Sequence, residues 1–183
     1  MKKLQVAVVL GTNRMGNQST RVAQLIKRVG DEFGEISTKY FDAGSYNIPH
    51  DGDTESVKIA EYSQLTKESD AFIFVVPEYN HSFPGSFKTL FDTEYQNYLH
   101  KPATLAGVSN GPWGGTRAVE ALIAPLRTTG LIISKKDLYF PDVINMFDES
   151  GDLKEESSIR RIHEAYKELI WLARTLAWGR QHS

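Results

Sequence analysis

Residues 4–19 read Leu4-Gln5-Val6-Ala7-Val8-Val9-Leu10-Gly11-Thr12-Asn13-Arg14-Met15-Gly16-Asn17-Gln18-Ser19. The first seven are apolar except for Gln5 and rich in valine, a composition that suits a strand covered on both faces in a parallel sheet. Gly11 ends the run, and a polar loop carrying a second glycine, Gly16, leads into a stretch where Val22, Leu25, Ile26, Val29 and Phe33 recur at helical spacing. A helix is expected over 17–33, with Asn17 or Ser19 placed to cap it.

The same alternation continues down the chain. A weaker strand is expected over 36–41. A polar stretch with Gly44, Pro49 and Gly52 then leads to a second helical pattern around Val57, Ile59 and Leu65. Residues 71–76 form an apolar strand buried on both faces. Pro84-Gly85 opens a third helix over 86 to about 99, and Pro102 stops it before a modest strand at 104–108. Gly114-Gly115 starts a fourth helix with Val119, Leu122, Ile123 and Leu126 on its apolar face and Gly130 at its end. Residues 131–133 and 138–140 read as one interrupted or bulged last strand. The final helix, expected over 153–178, follows the turn Ser150-Gly151-Asp152.

Five strands alternating with five helices imply an α/β fold: a three-layer sandwich with helices on both faces of a parallel sheet. At this length the flavodoxin-like, five-stranded order 2-1-3-4-5 is the natural candidate, with ligands beyond the carboxyl ends of the strands where the order reverses. The 183 residues suit one domain, 1–183.

Composition removes several function classes. With 21 basic against 23 acidic residues the net charge is -2, so no global field draws the chain to nucleic acid or to a membrane. Cysteine is absent, which excludes thiol nucleophiles, dithiol redox motifs and thiolate metal sites. Any redox chemistry must come from a bound cofactor. The apolar run ending at Leu10 is too short for a signal-peptide core, and a cytoplasmic protein is expected. His50, His81, His100, His163 and His182 are scattered without metal spacing, so no metal site is expected.

Three loops would meet at one sheet edge: Gly11 to Ser19, Pro77 to Gly85, and Ser109 to Gly115. The first offers glycines, hydroxyl and amide groups, the Arg14 guanidinium and a helix amino terminus, which together form a phosphate cradle. It is not a nucleoside-triphosphate loop, because Asn17-Gln18 stands where Lys and a hydroxyl residue would be required; nor is it a dinucleotide fingerprint, because Asn13 replaces the second glycine. The second loop joins an aromatic, a carboxylate and an amide, with Tyr79 able to pack on a flat ring and Asn80 able to hydrogen-bond its heteroatoms. The third exposes backbone N–H groups near Trp113, although Gly114-Gly115 also serves as a plain strand-to-helix turn. Together the loops describe a planar cofactor with one phosphate.

At these residues the chain resembles the NADPH-dependent FMN reductase family, which includes small azoreductases, quinone reductases and chromate reductases. The resemblance covers about residues 4–127. The family's G-S-x-R appears as Gly11-Thr12-Asn13-Arg14, with Thr12 keeping the serine hydroxyl. Its P-E-Y-N-x-S-x-P-G-x-L-K appears as Pro77 through Lys88, with Phe87 for Leu, and its S-x-G-x-x-G-G-x-R-A as Ser109 through Ala118. The resemblance implies that Thr12, Arg14, Asn17, Gln18 and Ser19 hold the FMN phosphate. It places Pro77, Glu78, Tyr79 and Asn80 against the isoalloxazine and ribityl portions, and Ser109, Asn110, Gly111 and Gly114 along the pyrimidine side.

The activity so implied is reduction of a quinone, azo compound or similar small acceptor, with NADPH or NADH as hydride donor and flavin N5 as the relay. No side chain is required as an acid or base, and His81 is expected to face solvent. A non-enzymatic electron carrier and a flavin-binding sensor are the alternatives. Phe87, Leu90, Phe91, Tyr95, Tyr98 and Leu99 would spread over about 180° of a long third helix, more than one sheet contact requires, and this predicts a homodimer or homotetramer contact. Trp171 and Trp178 would share the outer face of the last helix and mark a second such surface.

Overall fold

The computed structural model describes residues 3–46 and 59–182. Val57 of the expected second helix, and His50, lie outside them. Among the described residues six strands form one parallel sheet: β1 (Leu4–Leu10), β2 (Ile36–Asp42), β3 (Ala71–Pro77), β4 (Pro102–Val108), β5 (Ile132–Ile133) and β6 (Leu138–Phe140). The order is β2-β1-β3-β4-β5, with β6 also paired to β4. The interrupted last strand is therefore two short segments that follow one edge of β4, Ala103 opposite Ile133 and Ala106 opposite Leu138.

Alternation along the strands sorts the core into two halves. Val6, Val8 and Leu10 of β1, with Ile73 and Val75 of β3, face α1 (Ser19–Asp31) and α6 (Ser157–His182). Ala7, Val9, Phe72, Phe74 and Val76 face α2 (Ala60–Glu68), α3 (Gly85–Asp92) and α4 (Thr116–Thr128). Both faces of β3 and β4 are buried, which is why those strands read as continuous apolar runs. The edge strand β2 alternates buried and exposed positions instead.

The third helix is shorter than its apolar spacing predicts, ending at Asp92 rather than near Leu99. Polar anchoring wins over periodicity here. The Thr93 hydroxyl donates to the Leu90 carbonyl at 2.7 Å, and the amides of Thr93 and Glu94 tighten to i−3 partners. The buried Glu94 carboxylate accepts from Ser63 of α2 and from Asn97 Nδ2 at 2.8 Å, which pulls the chain off the helix axis. A 3₁₀ turn, Gln96–Tyr98, follows and folds Tyr98 back to stack on Phe91 at 4.4 Å. Phe87, Leu90, Phe91 and Tyr98 are thus satisfied within this chain, while Tyr95 and Leu99 are exposed off the helix. The broad helical arc on which a subunit contact was predicted does not form.

The last helix begins at Ser157 rather than 153, since Leu153 bridges back to Phe147, and it runs on to His182. Trp171 and Trp178 lie exposed on it as the spacing predicts. The single turn α5 (Val143–Met146), after β6, and the 3₁₀ turn Ala43–Ser45, after β2, escaped the sequence pattern. Among the described residues no helix is long and apolar enough to cross a membrane.

Candidate functional site

Parallel strands bring the ends of β1, β3 and β4 to one edge of the sheet, beside the reversal of strand order between β1 and β3. A cavity of about 270 Å³ opens there. Its walls are Arg14 through Ser19, Pro77 through Tyr79, Val108 through Asn110, and Val143 with Ile144. Stretches up to 130 residues apart in the chain, Arg14 and Ile144, thus form one site.

The loop after β1 is held by local bonds. Asn17 organises it: Nδ2 donates to the Arg14 carbonyl at 2.9 Å, and Oδ1 accepts from the Thr20 amide and hydroxyl at 3.0 and 3.1 Å. Of the two predicted caps, Asn17 does the capping, while Ser19 is buried at the first turn. Gly16 turns the chain with φ +69°, a left-handed conformation that other residues adopt at a penalty. Thr12 lies beneath the loop, not on the cavity wall, its Oγ1 accepting from the Arg14 amide at 3.3 Å and lying 3.4 Å from the Tyr79 hydroxyl. Arg14 is exposed with its guanidinium 5.3 Å above the Tyr79 ring, and Met15 at the rim is 95% exposed. No acidic residue stands in the first turn of α1, so the partial positive charge of that terminus faces the cavity uncancelled.

The loop after β3 is a two-residue hairpin. Tyr79 and Ser82 exchange both backbone hydrogen bonds, at 2.9 and 3.0 Å, and Asn80 and His81 between them have φ of +48° and +66°, the signature of a type I′ turn. Asn80 occupies the turn corner and does not line the cavity. Glu78 does line it, but its carboxylate is already bound: Arg117 Nη2 and Nε reach Oε1 at 2.6 and 2.7 Å, and the Arg117 amide donates to Oε2 at 3.3 Å. Arg117 Nη1 is 2.9 Å from His81 Nε2, so His81 belongs to this cluster and not simply to solvent.

The loop after β4 is fastened to the chain that follows β6. Ser109 receives the Val143 amide on its carbonyl and donates its own amide to Phe140, both at 3.1 Å, while the Gly111 carbonyl accepts from the Asp142 amide at 3.2 Å. Gly114 accepts from the Phe140 amide at 3.3 Å and is buried. Gly115 must be glycine on two counts: its φ is +83°, and a Cβ there would lie 2.4 Å from the Val108 nitrogen. Gly111, Gly114 and the exposed Trp113 lie off the cavity wall and shape the loop behind it. Val143 and Ile144, which close the fourth side, were missed by the sequence reading. Their only signal was an apolar pair after Pro141-Asp142 in a polar stretch.

The residues present fit a flat, singly phosphorylated group: a helix amino terminus with the Arg14 guanidinium, which reaches over the Tyr79 ring, and beside them the strand-end segments of β3 and β4. Comparison with known proteins agrees. A profile described as NADPH-dependent FMN reductase matches residues 4–142. A quinone reductase from Pseudomonas putida is 26% identical over 161 residues, 83% of this chain and 86% of that one. An NADPH azoreductase from Bacillus sp. (strain OY1-2) is 28% identical over 174 residues, 91% of this chain and 90% of that one. Among solved structures, FerB from Paracoccus denitrificans, a flavoenzyme NAD(P)H:(acceptor) oxidoreductase, superposes with a TM-score of 0.75 at 22% identity, covering 93% of this chain and 98% of that one. Since the profile match takes in all three strand-end loops and most of the chain, this protein belongs to the NADPH-dependent FMN reductase family.

Proposed function

We propose that the chain is an FMN-dependent NAD(P)H oxidoreductase that reduces flat acceptors such as quinones or azo compounds. The observation that carries this reading is the convergence of Arg14 to Ser19, Pro77 to Tyr79, and Ser109 with Asn110 on one cavity at the switch point of the sheet. FMN, when bound, supplies the hydride and electron transfer between nicotinamide and acceptor.

The chain's own residues bind and orient. Arg14, the amides at the start of α1, and the side chains of Asn17, Gln18 and Ser19 would hold the phosphate, with Thr12 bracing the loop from below. Pro77, Glu78 and Tyr79 would line the ring and ribityl portions, with Asn80 shaping the turn beside them; the Glu78 carboxylate is engaged by Arg117, and the Glu78 and Tyr79 amides by the Val108 and Ser82 carbonyls. Ser109 and Asn110 would line the pyrimidine side, with Gly111 and Gly114 setting the loop's path. Backbone dipoles aimed at the ring would stabilise negative charge as it builds there. Val143 and Ile144 add an apolar wall suited to a flat aromatic molecule. No residue at the cavity is required to give or take a proton.

Purified protein should carry FMN in a one-to-one ratio, and its visible absorbance should bleach when NADPH is added without oxygen. Protein that neither retains nor rebinds FMN overturns the reading. Steady-state NAD(P)H oxidation with a small quinone separates an enzyme from a carrier or sensor. Cytoplasmic location and self-association belong to the same proposal, the latter supported by the exposed Trp171 and Trp178. A monomeric sedimentation coefficient at micromolar concentration removes self-association.

A further inference from the structure

The Glu78 side chain is only 6% exposed, and among the described residues every hydrogen-bond partner of its carboxylate comes from Arg117. The same guanidinium reaches His81 Nε2 at 2.9 Å, and because arginine offers no lone pair, His81 is the acceptor in that bond. One side chain at the start of α4 therefore grips the hairpin after β3 at two points, Glu78 just before the turn and His81 within it. Glu78 is also a wall of the cavity. A carboxylate so withdrawn from water, beside the position of a ring that gains electrons, bears directly on how readily that ring is reduced.

We infer that Arg117 is a positioning residue for the flavin ring and the charge partner that tunes its reduction. It holds the Tyr79–Ser82 turn in place, and it neutralises the Glu78 carboxylate so that no net negative charge faces the ring. This inference rests on the FMN reading above. Two consequences separate from one another: loss of the grip loosens the ring end, and loss of the cation leaves a nearly buried anion that opposes reduction.

The test uses purified full-length protein, with FMN and riboflavin affinities from absorbance titration and the two-electron midpoint potential of the bound flavin. Arg117→Ala should weaken binding of both ligands by roughly tenfold, about the worth of one charge-assisted hydrogen bond, and should move the potential to a more negative value. Arg117→Lys keeps the charge without the fork and should restore the potential but only part of the affinity. Adding Glu78→Gln to Arg117→Ala removes the uncompensated anion and should return the potential to that of the parent. Glu78→Gln alone leaves an unpaired cation and should move the potential the opposite way, which keeps the test open even if Arg117→Ala fails to fold. A parental potential in Arg117→Ala, or a shift that persists in the double variant, overturns the inference. A parent protein that binds no flavin overturns the functional reading instead, and that result appears without any variant.

Discussion

The loop after β1 and the hairpin after β3 both border the cavity, meet at the Tyr79 ring, and are built by opposite means. The β1 loop is set by bonds within a span of six residues, Asn17 to Arg14 and to Thr20. The β3 hairpin depends on partners 36 to 39 residues away, through Arg117, and on the Tyr79 hydroxyl, 67 residues from Thr12. A locally coded loop is ready to hold an anion as soon as its helix forms. A hairpin braced at long range acquires its shape only when the sheet is complete, and it couples the ring end of the site to the rest of the core.

The largest expected effect falls just before α4, the helix that carries Arg117. Gly115→Ala should destabilise the fold by about 3 kcal/mol or more, because it combines a left-handed backbone with a clash against β4. Gly16→Ala should cost about 1 kcal/mol, since φ is left-handed there too but nothing lies within 4 Å of the new Cβ. Thermal or urea unfolding measures both, and equal losses would show that the close approach of Gly115 to β4 adds nothing to the cost of a left-handed backbone.

Lys101 provides a control at the opposite end of β4. Its Nζ is buried on the Thr66 and Lys67 carbonyls at 2.8 and 3.1 Å, and burial, with Arg180 adding repulsion, lowers its pKa from 10.5 to about 8. Between those values the unfolded chain keeps a proton that the folded chain has released, so stability rises with pH across that window. Relative to Lys101→Met, the parent should gain up to about 1.4 kcal/mol per pH unit between pH 8 and 10, with no change in the site. A parallel pH dependence in parent and variant would contradict the assignment.

Smaller effects sharpen the comparison. Asn17→Ala should lose about 1 kcal/mol of stability with its cap and should weaken FMN while leaving riboflavin unaffected. Tyr79→Phe should lose under about 1 kcal/mol with its contact to Thr12. If Asn17→Ala weakened riboflavin as much as FMN, the division of the site into a phosphate end and a ring end would fail.

The same division explains what the sequence could disclose. The bounds of β1 follow from a pattern within a dozen residues, and the cap was narrowed to Asn17 or Ser19 in the same way; the strand order was legible from the whole run of alternating units at this chain length. The end of α3 was not, because Glu94 bonds to α2, about thirty residues earlier in the chain. Nor was the Arg117 grip, although its three residues were all in the motifs. Val143 and Ile144 lay outside those motifs, and the amide bonds from Asp142 to Gly111 and from Val143 to Ser109 bring that turn to the cavity.

Trp113 stands 66% exposed on the loop after β4, next to the cavity, whereas Trp178 lies two residues from Arg180, which bonds the His100 carbonyl at the far edge of the sheet. The three indoles thus sample the molecule unevenly. Filling of the crevice should be visible as stronger energy transfer to the yellow chromophore from Trp113 than from Trp178, whose emission then supplies an internal standard.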